Sequence, residues 1–280
     1  MNIESVKIVA DSSANLMALS EIAFSPAPLK IITSEKEYTD NASIDVAAMV
    51  DELAHYKGRS SSSCPNCEDW LNAFGESQYI FCATITSGLS GSYNSAMMAK
   101  QAYESEHPDR RVYVLDSLSA GPEITLAVEK MQGLILQGLE FDDIANEIEN
   151  YKARTGLLFS LESMKNFANN GRVSPIVAKA AGLLGIRIVG KASDEGTLQP
   201  LHKCRGEERA LKTIIDELQA HGLKNGRVII AHTFNLTAAE RLKSMIAEQL
   251  GTTDIKITEN LGLCSFYAEK GGLLVGFEKQ

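Results

Sequence analysis

Short apolar runs alternate with helix-spaced apolar positions along this chain. "VKIVA" (Val6–Ala10), "PLKIITS", "QYIFCATI" and "RVYVLDS" each read as a strand, and polar residues bound them. Between them Val46, Met49, Val50 and Leu53 fall at i, i+3, i+4, i+7, one apolar helix face. Ala96, Ala99 and Tyr103 mark a second helix starting near Gly91, and Ile144, Ile148 and Tyr151 another. Pro122 opens a long helix, as proline is permitted to do in a first turn. "SSSSCPNC" reads as a loop. This alternation predicts parallel pairing and an α/β domain over residues 1–155. In residues 156–280, "TGLLFS", "IRIVG", the hairpin-like "KASDEGTLQPLHK", "RVIIAHT", "DIKIT" and "GGLLVGFE" supply strands. Leu211, Ile214, Ile215 and Leu218, then Leu242, Met245 and Ile246, supply helices. A second α/β domain follows from these, with no Pro/Gly/Ser linker before it.

Charge narrows the partners. The net charge is -9, and no Lys/Arg stripe interrupts it, so nucleic acid and anionic membrane surfaces are poor matches. No apolar run approaches the roughly 20 residues of a membrane span, and the first residues form a strand pattern instead of a secretory leader. Five cysteines, an odd number, suit a reducing cytoplasm better than a disulfide framework.

The polar residues worth reading lie at the strand ends: "DSS", "TSGLSGS" and "DSLS". Ligands of open parallel sheets bind beyond the carboxyl ends of strands. In "ATITSGLSGSYNSA", Gly88 and Gly91 allow close backbone approach, and Ser90, Gly91 and Ser92 sit where free N–H groups and the helix dipole favour an anion. The loop matches neither Walker A nor G-x-G-x-x-G, so no nucleotide cofactor is expected, and a carboxylate or single phosphate fits better. A plain N-cap by Ser90 or Ser92 explains the same residues.

"RSSSSCPNCEDW" offers a run of hydroxyls, and its Cys64 and Cys67 have the C-x-x-C spacing of a redox pair. Two small residues packed beside a turn is the plainer account, and no second Cys/His pair completes a metal site. Asp11 and Asp116 are read as caps for the helices that follow them, with ligand hydroxyls as the other use. Arg172, in "NNGRVS", suits either an anion partner or the surface, and so does Arg205. His232 follows an apolar strand and is expected to be half-buried and hydrogen-bonded. No nucleophile motif, catalytic residue or metal cluster emerges.

Taken together, "IVADSSANL", "SSSCPNCEDW", "TSGLSGSYNSA", "VYVLDSLSAG", "FANNGRVS", "KCRGEERAL" and "EKGGLLVGF" resemble the DegV family of fatty-acid-binding proteins, in the family's order and across the whole chain. The resemblance implies an EDD-type fold: a parallel-sheet α/β domain followed by an α/β domain with a mixed sheet. It implies one long-chain fatty acid in a tunnel at the domain junction, no cofactor and no chemistry on this chain. It further implies presentation of the fatty acid to a separate fatty acid kinase subunit. Carried over, the head-group residues are Ser62 and Ser63 of the first loop, Ser87, Ser90 and Gly91 of the second, and Arg172. The family's C-terminal His-x-Gly-Pro-Gly is absent here, and Glu269 and Lys270 stand about where its histidine would be. That departure bears on hand-off to a kinase more than on lipid binding. Two other functions compete: an enzyme or binding protein for a small phosphorylated or hydroxylated metabolite, and a thiol oxidoreductase using Cys64 and Cys67.

Overall fold

The computed structural model describes residues 1–176 and 185–279. The first half is built on four parallel strands, β1 (Val6–Asp11), β2 (Ala23–Ala27), β6 (Tyr79–Thr84) and β7 (Arg111–Asp116), ordered β2-β1-β6-β7. Successive side chains of a strand face opposite ways. Ile8, Ala10, Phe81 and Ala83 therefore pack against α4 (Pro122–Leu136) and α5 (Phe141–Lys152). Val9, Ile80 and Cys82 pack against α2 (Cys67–Phe74) and α3 (Ser92–Glu106). Burial on both faces is why these strands read as unbroken apolar runs.

Several segments depart from the sequence expectation. β2 runs through "AFSPA", where Pro26 hides the strand pattern; proline is tolerated there because β2 is an edge. "PLKIITS" does not enter the parallel sheet. Its Lys30–Ile32 (β3) is the middle of a separate antiparallel sheet with β4 (Glu37–Thr39) and β5 (Ser61–Ser63). The serine run expected as a loop is thus partly a strand, with Ser62 opposite the fully buried Ile31. Backbone pairing, which any side chain permits, decides it. The "CPNCED" segment starts α2: Asn66 and Asp69 form a reciprocal capping box, each accepting the other's backbone N–H at 2.9 Å. α1 (Val46–His55) matches its apolar face and is capped by Asp45.

The second half carries a six-stranded mixed sheet. Its strands are β8 (Thr155–Leu161), β9 (Ile186–Ala192), β10 (Leu198–Arg205), β11 (Val228–His232), β12 (Ile255–Glu259) and β13 (Leu273–Glu278), ordered β10-β9-β8-β13-β11-β12. Only β11 and β12 run parallel among its pairs. One face packs against α7 (Glu207–Ala220) and α8 (Leu236–Leu250) through Leu211, Ile214, Leu242 and Ile246. On β8, Leu158 joins that core, whereas Phe159 and Leu161 face the other way. Two short helices escaped the sequence reading: α6 (Lys165–Asn169) and α9 (Gly262–Ala268). α9 is nearly all small or apolar and only 7 residues long, too short for its period to show. Its N-terminus is fixed from the first half, where the Asp40 carboxylate accepts the N–H groups of Gly262 (2.8 Å) and Leu263 (2.9 Å).

Candidate functional site

The strand-end polar residues divide into those consumed by the fold and those left facing open space. Asp11 is fully buried and caps no helix; it accepts the Ile85 N–H (2.8 Å), the Ser92 hydroxyl (2.6 Å) and the Ser13 hydroxyl. Burial raises its pKa, and those donors pull the other way. Asp116 likewise caps no helix and ties its own loop to the one after β6, accepting the N–H groups of Leu118 (3.2 Å) and Ser87 (3.0 Å). Both aspartates, expected as caps, pin loops together instead. Ser92 is spent on Asp11, and Ser87 is exposed to solvent. Gly88 does admit a close approach, but the neighbour is this chain's own hairpin: a Cβ there would lie 2.7 Å from the Glu195 carbonyl oxygen.

Ser62, Ser63, Ser90, Gly91 and Arg172 all border one cavity of about 260 Å³. Close contacts hold them in place. A Cβ on Gly91 would sit 3.3 Å from Cys64 Sγ, so the segment after β5 abuts the start of α3. Arg172 Nε donates to the Leu89 carbonyl (3.2 Å), and its Nη1 donates to that of Asn170 (2.6 Å). Ser62 Oγ lies 2.7 Å from the hydroxyl of Tyr267, on α9. Ser90 Oγ accepts the Ser92 N–H at 3.2 Å, which leaves its own hydrogen to donate. The rest of the wall is largely apolar: Leu29, Ile85, Leu157, Phe159, Leu161 and Leu274 are among its residues. Among the described residues lining the cavity, Arg172 is the one charged side chain, and no carboxylate is among its partners.

The cysteines give no support to thiol chemistry. All five are free, and burial pushes the Cys64 thiol up, the opposite of an activated thiol. Among the described residues no His/Cys/Asp/Glu group could hold a metal ion, and no helix is long and apolar enough to cross a membrane. His232 is more buried than expected, at 3% exposure, with Nδ1 accepting the Asn235 N–H at 3.4 Å. Glu269 and Lys270 do not line the cavity. They border a second one of about 520 Å³, behind α6 and α9, with Val50, Leu53, Phe234 and Phe266. Tyr267 is the site residue that motif reading missed. Its sequence signal was slight: an aromatic ring with a polar tip among small apolar residues, ahead of the Gly271-Gly272 turn.

Fold and site together define an α/β protein with a cavity apolar over most of its wall and carrying one cationic side chain, Arg172, among its described lining residues. The chain belongs to the DegV family, whose model ("Uncharacterised protein, DegV family") matches residues 5–280. A DegV domain-containing protein of Streptococcus pneumoniae serotype 4 is 43% identical over 276 residues, covering 97% of this chain and 98% of the relative. Among solved structures, a Eubacterium eligens DegV family protein loaded with heptadecanoic acid is similar at TM-score 0.97 and 41% identity, covering 98% of this chain and 100% of that one. The Streptococcus pneumoniae Fatty Acid Kinase B3 protein loaded with linoleic acid is similar at 0.96 and 42%, covering 98% and 99%.

Proposed function

We propose that this chain is a non-catalytic carrier that binds one long-chain fatty acid in the cavity and presents it to a separate fatty acid kinase subunit. The carboxylate lies against Ser62, Ser63, Ser90, the Gly91 amide and Arg172, and the tail runs between residues 1–155 and 156–280, which we take as the two domains. Ser87, facing solvent, is left out of the binding set.

One observation carries this reading: among the described residues lining a largely apolar cavity, Arg172 supplies the one charged group. Arg172, half-buried and held by two backbone carbonyls, has no anionic partner among the described residues, and a carboxylate with an alkyl tail satisfies both kinds of wall at once. Each buried methylene contributes about 0.8 kcal/mol, so the tail supplies most of the affinity and the polar end selects the acid. The same walls weigh against a small phosphorylated metabolite, which would leave apolar surface unfilled. Support for the ligand class also comes from the heptadecanoic and linoleic acids in the two similar structures, and support for the kinase partner from the name of the second. We place the carrier in the cytoplasm, in keeping with its free thiols.

Native mass spectrometry of the purified chain, followed by organic extraction, is expected to release one fatty acid per chain. Ser90→Ala is expected to weaken acid binding by roughly ten- to hundredfold, one hydrogen bond to a charged group, while hardly changing binding of the alcohol of equal length. A polar phosphorylated compound in the extract, or equal loss for acid and alcohol, would count against the proposal.

A further inference from the structure

We propose that Tyr267 is a ligand of the acid group, its phenolic O–H donating to one carboxylate oxygen beside the Ser62 hydroxyl. The inference rests on the carboxylate reading above and adds to it a residue outside the loop motifs.

The geometry holds Tyr267 ready for this. Its ring stacks on Phe167, centroids 4.6 Å apart at 28°, and meets Phe266 edge-on at 4.8 Å and 65°. The helix beneath it is anchored by Asp40 at its first turn. Ring and backbone are therefore fixed, and the hydroxyl hydrogen is the part free to turn. The Ser62 and Tyr267 hydroxyls, 2.7 Å apart, share one hydrogen between them, so one O–H remains to donate elsewhere. A carboxylate is acceptor only, and when it arrives both hydroxyls can turn to it, replacing their mutual bond with two charge-assisted ones. An alcohol, itself part donor, leaves the pair no such gain. Burial pushes the phenol upward while Ser62 and the charge of Arg172 pull the other way, so at neutral pH the group is a donor.

Tyr267→Phe keeps the ring stack and deletes only the hydroxyl. Affinity for a long-chain acid should fall roughly ten- to hundredfold, with less than about threefold change for the alcohol of equal length. Unchanged acid affinity, or equal loss for both ligands, overturns the assignment. A wild-type protein that binds neither ligand would defeat the carrier reading itself, a separate result. As a measurement independent of the variant's folding, 3-fluorotyrosine placed at position 267 of the full chain should show a fluorine resonance that shifts with the acid and stays put with the alcohol. The same shift with both would also overturn it.

Discussion

The two cavities described above share walls but differ in character. One face of α9 gives Cys264, Tyr267 and Ala268 to the first cavity, at i, i+3, i+4, and the helix turns Ser265 and Phe266 toward the second. On or beside α6, Phe167 and Arg172 border the first, and Ser163, Lys165 and Asn166 the second. The second is the larger, about 520 Å³ against 260 Å³. Yet it is lined by Asp51, Glu162, Glu269, Lys165 and Lys270, and an entering carboxylate would meet like charge there. Volume does not pick the ligand site; the sign and isolation of the charge inside it do.

The strongest way to break this comparison is to exchange the cations. Arg172→Met should lower acid affinity by roughly ten- to hundredfold, since a hydrogen bond to a charged group contributes about 1.5–3 kcal/mol and Arg172 is half-buried. The double change Lys165→Met, Lys270→Met should leave it within about twofold. Titration calorimetry on both proteins decides, and a comparable loss from the lysine pair would mean that the acid group sits on the wrong side of α9 in our account. A second test sharpens the apolar half of the contrast. Wild-type affinity should rise about fourfold per added methylene until the cavity is filled, the equivalent of 0.8 kcal/mol. Leu198→Trp, which fills part of the first cavity, should move the preferred chain to shorter lengths. Val50→Trp, in the second, should leave that preference where it was, and equal sensitivity to both would erase the distinction.

Much of this was legible from residues alone. The cores of β1, β6 and β7 are continuous apolar runs because both faces are covered, and α1 and α5 turn their apolar faces to the core at the expected spacing. Ser90 and Gly91 stood out in sequence by their place at a strand end and Ser62 only by its match to a family motif, and the structure places all three on one cavity wall. What stayed hidden depended on long-range contacts. Asp11 has the local pattern of a cap but is claimed by Ser92, 81 positions away. Ser62 meets Tyr267 across 205 positions, and no local pattern announces that pairing. Arg172 is indistinguishable in sequence from a surface arginine, and only the cavity wall shows that it faces apolar neighbours. β2 and α9 are short and carry proline or unpatterned small residues, so tertiary contact had to decide them.

The smallest expected effect concerns pH, and it also separates the two sides. The described lining of the first cavity holds no histidine and no carboxylate, so acid affinity should be level between about pH 6 and 8. Beyond the second cavity, His232 is buried at the end of β11, on the strand leading to the turn that carries Phe234. Burial lowers its pKa, against the pull of Glu259 and Glu240. The unfolded chain binds this proton near pH 6.5 and the folded one only at lower pH, so the unfolded state gains on acidification. Stability from this group is therefore present above about pH 6.5 and lost as pH falls through the folded value. In His232→Asn, thermal unfolding should depend less on pH than in wild type as pH falls below about 6.5, the reference value of the unfolded imidazole. An acid affinity that changes over this same window, and loses the change in His232→Asn, would show that the two sides are coupled through the shared wall and that the first cavity does not act alone.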